Sequence, residues 1–241
     1  MSSEFYVGYL PKMPPRLAGR VTRTVCGLAL LAAAAALLLV FAQAPFPASR
    51  FEYLEYREYA GLLRERPYPR MITAGGTSLL VAPGKHGASG LVEDLDGRTA
   101  RLQGALIERG RDRMLELLPG SIEAQPGPVA GSESATAFGT VTLQGEIVDS
   151  KCYLGVMNPG NGKVHRECAV RCLSGGLPPA LVVHDSSGAG ATLLLAGPGG
   201  RPLGRELLDF VAEPVEVTGR LARLDGLLVL EMDPARVRRL E

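Results

Sequence analysis

Residues 213–240, EPVEVTGRLARLDGLLVLEMDPARVRRL, contain the pattern that decides the fold of this 241-residue chain. Polar and apolar side chains alternate along residues 215–224, as they do in a strand with one buried and one exposed face. The turn sequence LDGL follows, and an apolar run returns after it. The stretch therefore predicts a β-hairpin, and Gly219 within its first strand suits a bulge or a sharp bend.

A degenerate copy of this hairpin occurs at residues 96–123, DGRTARLQGALIERGRDRMLELLPGSIE, where Gly104 corresponds to Gly219. Two further matches precede the hairpins. The stretch YAGLLRERPY around Gly61 resembles LQGEIVDSKCY around Gly145, and SLLVAPG resembles TLLLAGPG. These matches indicate two copies of one β unit.

Each copy reads as a long bent strand, a hairpin, a short connecting helix and a final hairpin, which is the order of a small OB-like barrel. We therefore predict a mainly β protein with two tandem OB-like barrel units, at residues 51–123 and 138–241. Residues 124–137, AQPGPVAGSESATA, are rich in Pro, Gly, Ser and Ala and are predicted to form the linker. One elongated sandwich built from both halves is the alternative.

An uncharged segment precedes the two units and contains the run TVCGLALLAAAAALLLVFA. Roughly 18–20 apolar residues cross the hydrocarbon core of a bilayer as a helix. A cleaved signal peptide is the competing interpretation, since residues 42–44 have a small-x-small pattern. The run exceeds the roughly 7–15 apolar residues of a usual signal peptide, and Pro45 would hinder cleavage. We predict a retained transmembrane anchor at residues 24–44.

The flanking charges decide the orientation only weakly, because basic residues lie on both sides of the anchor. We predict that residues 1–23 form a cytoplasmic tail and that the longer C-terminal part is translocated. The chain is then a single-pass protein of a bacterial inner membrane with its β units in the periplasm. The formal net charge of +1 argues against a nucleic-acid partner.

The segment 145–176, GEIVDSKCYLGVMNPGNGKVHRECAVRCLSGG, contains three of the four cysteines and one of the three histidines. A predicted strand ends at Cys152, a loop rich in Gly, Asn and Pro follows, and residues 163–173 read as a short helix. The second copy is longer here than the first. We therefore predict a helical Cys/His insertion at about residues 151–179 of the second barrel.

Three residues of that helix, His165, Cys168 and Cys172, have i, i+3, i+7 spacing and are predicted to share one face. Cys152 can reach them across the glycine-rich loop. The four residues form a candidate Cys₃His site for zinc or, with thiolates as soft ligands, for Cu(I). The spacing H-x2-C-x3-C is not a familiar zinc signature. A disulfide from Cys152 to Cys168 or Cys172 with one spare thiol, and a dithiol redox pair, remain open.

The remaining histidines have simpler interpretations. His184 is predicted to enter a turn after a strand, and His86 to lie in a surface loop of the first unit. The sequence contains no G-x-S-x-G, no P-loop, no dinucleotide fingerprint and no C-x-x-C. We therefore predict that the protein is not an enzyme.

The pattern G-E-I-V-D-S-K-C-Y, then H-R-E-C-A-V-R-C, then G-G-L-P-P-A-L-V-V covers about residues 145–183. It resembles a group of uncharacterised bacterial exported or membrane-anchored proteins with small OB-like domains. The resemblance implies the fold and the export but no activity. We expect an accessory or assembly subunit of a membrane redox complex, bound to other membrane subunits. The alternative is an independent periplasmic protein for copper or zinc binding or for thiol redox chemistry.

Overall fold

A computed structural model of the chain describes residues 12–43, 49–131, 133–185 and 190–240. The chain divides into two units, Met1–Phe46 and Pro47–Glu241. Residues 1–11 of the predicted tail and the candidate cleavage point between Ala44 and Pro45 lie outside the described residues.

The first unit contains helix α1, Pro15–Ala42, which has 28 residues. The helix begins well before the uncharged segment, because a proline fits the first helical position, where no backbone N–H is needed. At 1.5 Å per residue it is about 42 Å long, and the hydrocarbon core of a bilayer is about 30 Å thick. Its length and composition support a single-pass anchor, although an N-terminal signal sequence has the same properties.

The first barrel occupies the start of the second unit. Its strands are β1 (Ser49–Phe51), β2 (Arg57–Arg64), β3 (Arg70–Thr73), β4 (Gly76–Val81), β5 (Thr99–Arg109), β6 (Asp112–Leu117) and β7 (Glu123–Ala124). The pairs β2–β3, β3–β4, β4–β6, β6–β5 and β5–β2 form a closed five-stranded ring, in which only β4–β6 is parallel. This strand order is that of an OB barrel.

The second barrel repeats this topology. Its strands are β8 (Ala135–Asp149), β9 (Pro179–His184), β10 (Gly190–Gly197), β11 (Arg201–Pro202), β12 (Pro214–Leu224), β13 (Leu227–Met232) and β14 (Arg238–Arg239). The pairs β8–β9, β9–β10, β10–β13, β13–β12 and β12–β8 close a ring, and again only β10–β13, the third strand with the last, is parallel. The two predicted OB-like units are therefore confirmed.

Short helical segments connect the strands. They are helix α2 (Arg166–Ser174) and the short helical turns Ser89–Leu91, Cys152–Val156, Lys163–His165, Pro198–Gly200, Arg205–Phe210 and Pro234–Arg236. The connecting helices predicted in both copies appear as the turns Ser89–Leu91 and Arg205–Phe210.

The glycines that matched between the two copies lie where neighbouring strands approach closely. A Cβ atom on Gly61 would lie 2.4 Å from the carbonyl oxygen of Ile72, and one on Gly145 would lie 2.3 Å from that of Val182. Gly61 and Gly145 occupy the same place in the first strand of their rings. The repeat is visible in the sequence because a side chain at either position would force the strands apart.

The two barrels pack against each other through a shared apolar core. One cluster of buried side chains contains residues of both barrels. The first barrel contributes Tyr68, Ile107 and Met114, and the second contributes Leu194 and Val229. The Tyr68 hydroxyl donates to the carbonyl oxygen of Leu195 at 2.6 Å and accepts the N–H of Leu203 at 3.0 Å. Burying this apolar surface and these polar groups together holds the barrels in one compact unit.

The predicted linker contacts both barrels, and its last residues, 135–137, already belong to strand β8. The N–H of Ala130 donates to the carbonyl oxygen of Gly97 at 2.7 Å, and the carboxylate of Glu133 is 2.6 Å from the Arg70 guanidinium. Arg70 is itself buried and also pairs with Asp225 of the second barrel at 2.8 Å. The segment between the barrels is therefore part of their packing.

The Cys/His insertion lies between β8 and β9, at residues 150–178. The same connection in the first barrel, between β2 and β3, contains only residues 65–69. The insertion contributes Cys152, Leu154, Cys172 and Leu177 to the apolar core between the barrels. An addition to the second barrel thus lies at the barrel interface.

Candidate metal centre

Two short segments of the insertion bring its cysteines together. Strand β8 ends at Asp149, and the chain turns at once so that Cys152 begins the turn Cys152–Val156. Helix α2 carries Cys168 and Cys172 one turn apart. The loop between them returns closely over the turn, because a Cβ atom on Gly160 would lie 2.5 Å from the carbonyl oxygen of Cys152. Gly160 is therefore required for this close approach of the loop to the turn.

The three sulfur atoms converge at the spacing of a shared metal ion. Cys152 Sγ is 3.9 Å from Cys168 Sγ and 4.0 Å from Cys172 Sγ, and all three sulfurs lie within 4.8 Å of one another. Ligand sulfurs about 2.3 Å from one ion are about 3.8 Å apart in a tetrahedron and about 4.0 Å apart in a trigonal plane. The observed spacing fits a metal and exceeds the ~2.05 Å of a disulfide. The cysteines are free thiols in this structure.

Burial separates the three cysteines into two kinds. Cys152 and Cys172 are 3% and 1% exposed, within the apolar core between the barrels. Cys168 is half-buried. A ligand that reaches the cluster from solvent therefore meets Cys168 first.

A buried carboxylate orients the other side of the cluster. Asp149 is fully buried, and its Oδ1 accepts the N–H of Cys152 at 2.9 Å. Its Oδ2 lies 2.9 Å from His165 Nε2. A carboxylate that pairs with one ring nitrogen of a histidine fixes the ring and its tautomer, as it does behind many metal-ligating histidines. Asp149 therefore positions Cys152 and His165 together.

The predicted four-residue set is divided by this geometry. Asp149, Cys152 and His165 form one group whose potential ligand atoms lie within 4.8 Å of one another, and Cys152, Cys168 and Cys172 form another. Cys152 belongs to both groups. His165 thus approaches the centre on the Cys152 side, with its Nε2 held by Asp149, while the sulfurs form the other side.

A lysine of the first barrel completes the cluster. Lys85 Nζ lies 2.7 Å from Cys168 Sγ and 3.7 Å from Cys172 Sγ. The loop that carries it contacts the end of helix α2, where the N–H of Gly87 donates to the carbonyl oxygen of Gly175 at 3.0 Å. A Cβ atom on Gly175 would lie 1.9 Å from the carbonyl oxygen of Lys85. A glycine at this position is therefore required for the close approach.

A second lysine fixes the same loop from the opposite direction. Lys151 points out of the insertion into the first barrel, where its Nζ lies 2.5 Å from Glu116 Oε2. The same ammonium donates to the carbonyl oxygens of Ala82 and Gly84 at 3.0 and 2.7 Å. Because Ala82 and Gly84 directly precede Lys85, Lys151 fixes the backbone that leads into Lys85.

These contacts give the thiols different acidities. The pKa of the Cys172 thiol is lowered, first because it accepts a hydrogen bond from Cys152 and further because of the nearby Lys85 ammonium. The pKa of Cys152 is raised far above its usual range by that same hydrogen bond, by burial and by the Asp149 charge. The pKa of Lys85 is raised by its hydrogen bond to Cys168. The thiolate form, which binds metals, is therefore favoured at Cys172 over Cys152.

The other two histidines lie elsewhere. His184 is exposed at the end of β9, and His86 is exposed in the loop of Lys85. Within the described ranges, neither belongs to a group that could hold a metal ion.

Four residues that the sequence patterns did not single out shape the centre: Lys85, Glu116, Asp149 and Lys151. Asp149 and Lys151 had one available signal, because both are charged residues at the end of the predicted strand, within three residues of Cys152. Lys85 and Glu116 come from the other barrel, and nothing in their local sequence points to the cysteines.

Comparison with known proteins finds no matching protein-family model, no matching curated protein and no matching solved structure. The metal-binding function proposed for this chain therefore depends on its own geometry alone.

Proposed function

We propose that this chain is a membrane-anchored protein that binds a soft metal ion at Cys152, Cys168 and Cys172, with a preference for Cu(I) over Zn(II). The observation that supports the proposal is the separation of the sulfurs, 3.9 and 4.0 Å from Cys152 to the two cysteines of helix α2. Thiolates are the ligands that select Cu(I) and zinc over harder ions. The barrel interface keeps water from the two buried cysteines.

The number of ligands favours Cu(I) over structural zinc. Structural zinc sites are almost always four-coordinate and closed by protein ligands. In the part of the chain that the structure describes, only Cys152, Cys168 and Cys172 form the sulfur group, and the His165 Nε2 is paired with Asp149. A three-sulfur set is complete for an ion that accepts trigonal coordination. Zinc would need the His165 ring to move toward Cys168 and Cys172.

The experiment is an anaerobic titration of the reduced full chain in detergent, with Cu(I) supplied by a calibrated chelator. We expect one tightly bound Cu(I) per chain. Serine substitution at any of the three cysteines should weaken binding by at least about 100-fold, because losing a ligand should cost no less than the upper end of what losing an outer-shell partner costs. Cys26→Ser is the matched control, since Cys26 lies in α1, and it should leave binding unchanged.

Two results would contradict this function. One is Cu(I) binding that survives simultaneous serine substitution of Cys152, Cys168 and Cys172. The other is protein, purified without reductant, that contains one disulfide within this trio and cannot bind metal until it is reduced. The second result would favour the thiol redox alternative.

We further propose that α1 is retained as a single-pass anchor and that the barrels face the periplasm of a bacterium, as in the exported proteins that residues 145–183 resemble. The length and apolar character of the helix support the anchor. N-terminal sequencing of the mature protein and protease treatment of spheroplasts test it. A mature chain that starts at Pro45, or barrels protected from external protease, would refute it.

An accessory or assembly role beside a membrane redox complex is the second candidate. One observation favours it: the insertion that carries the cysteines also exposes Met157 and Val164, with Val164 85% exposed. A partner subunit that covers these side chains would contact the metal-binding segment itself. Purification in mild detergent tests this role, and a stable stoichiometric membrane partner that is lost in Val164→Glu would support it. A chain that purifies alone would contradict it.

A further inference from the structure

The Lys85 side chain is directed at sulfur and not at a carboxylate. Its ammonium lies 2.7 Å from Cys168 Sγ and 3.7 Å from Cys172 Sγ. Among the described residues, no carboxylate lies within ion-pair distance of it. An exposed lysine ordinarily remains solvated or pairs with a surface carboxylate. This one adds a positive charge to the open, Cys168 side of the three-sulfur group.

The position of Lys85 is built by the packing of the two barrels. Lys151 binds two carbonyl oxygens of the segment that leads into Lys85, those of Ala82 and Gly84. The N–H of Gly87 donates to Gly175, and the N–H of Ala82 donates to the carbonyl oxygen of His86 at 3.0 Å, which closes the loop. The backbone that carries Lys85 is thus held beside helix α2 by contacts that do not involve the sulfurs.

We propose that Lys85 determines the charge selectivity of the centre, by favouring a monovalent ion over a divalent one. This inference rests on the proposed metal-binding function. Three thiolates with a monovalent ion have a net charge of −2, whereas with a divalent ion they have −1. The ammonium therefore stabilises the complex of the monovalent ion twice as strongly as the complex of the divalent ion. Equivalently, it repels a divalent ion twice as strongly as a monovalent one. The first barrel thus sets which ion the second barrel prefers.

The expected size follows from Coulomb's law with strong solvent screening. Lys85 is exposed, so an effective dielectric constant of about 40–80 is appropriate for a charge about 5 Å from the ion. One unit of charge at that distance then changes the Cu(I)-to-Zn(II) affinity ratio by about 4- to 16-fold. The effect should shrink as salt is added, because salt screens exposed charges.

The test compares Cu(I) and Zn(II) dissociation constants for the full chain in detergent, each measured by competition with a calibrated chelator. Lys85→Met keeps the length of the side chain and removes its charge, and Lys85→Arg keeps the charge. The matched control is Lys163→Met, since Lys163 is also exposed, belongs to the insertion and lies 3.9 Å from a Glu213 carboxylate oxygen.

We expect Lys85→Met to lower the Cu(I)-to-Zn(II) affinity ratio by about 4- to 16-fold, while Lys85→Arg and Lys163→Met stay within about twofold of the wild-type ratio. An unchanged ratio in Lys85→Met would overturn the inference. Equal loss of both affinities would also overturn it, because a merely structural lysine affects both ions alike. If Lys85→Met does not fold, Lys85→Gln provides the neutral variant.

Failure of the proposed function would look different. In that case the wild-type chain itself would bind no stoichiometric Cu(I), whatever residue 85 is. Wild-type binding with an unaltered ratio in the neutral variants would leave the metal centre intact and remove only the role of Lys85.

Discussion

Replacing Glu116 by Gln should destabilise the barrel unit strongly, because it leaves the Lys151 ammonium buried without a counter-ion. The two side chains are only 2% and 8% exposed, with Nζ and Oε2 2.5 Å apart. Removing one partner of a buried ion pair typically costs about 3–5 kcal/mol. Two carbonyl oxygens still bind the ammonium, so we expect the lower end, about 3 kcal/mol. In a unit of this size that lowers Tm by about 6–12 °C.

The assay is thermal unfolding of the full chain at neutral pH, followed by circular dichroism. Glu206→Gln is the control, because the Arg201–Glu206 pair has the same 2.5 Å separation but is 51% and 40% exposed. An exposed pair is worth about 0–1 kcal/mol, so its Tm should fall by less than about 4 °C. The double variant Lys151→Met/Glu116→Gln removes both charges and should be more stable than Glu116→Gln alone. A Tm loss for Glu116→Gln no larger than that of the control would refute the reasoning.

Two further substitutions test the interface and the pH response. Gly175→Ala should lower Tm and also weaken Cu(I) binding, because its Cβ would lie 1.9 Å from the carbonyl oxygen of Lys85; chelator competition that shows wild-type affinity would contradict this. Asp112→Asn should raise Tm at pH 7 but not at pH 4. Burial raises the pKa of the Asp112 carboxyl, so the folded state holds its proton longer than the unfolded state and loses stability as pH rises from about 4 through the folded pKa. Equal Tm differences at the two pH values would contradict this.

The barrels were predictable because their signals are local. Alternation along residues 215–224 follows from a half-buried strand, and glycines such as Gly61 and Gly145 are required by close backbone approach within one ring. The convergence of Cys152 with Cys168 and Cys172 was also predictable, from one loop and one helical turn. These features depend on residues that are close in sequence.

The rest of the site depends on contacts that are distant in sequence. Helix α2 begins at Arg166, and His165 lies in the tighter turn Lys163–His165, which has about three residues per turn instead of 3.6. The predicted common face therefore does not extend to His165, and its ring turns to Asp149. Lys85 meets Cys168 only because the two barrels dock, and the shared apolar core that docks them has no periodic signal in either copy.

X-ray absorption at the copper edge, on the reduced full chain loaded with one equivalent of Cu(I), counts the sulfur atoms bound to the ion. We predict three sulfur neighbours at about 2.3 Å, unchanged in Cys26→Ser and reduced to two in Cys168→Ser. A first shell of nitrogen or oxygen, or one that keeps three sulfurs after Cys168 is replaced, would contradict a metal centre built from Cys152, Cys168 and Cys172.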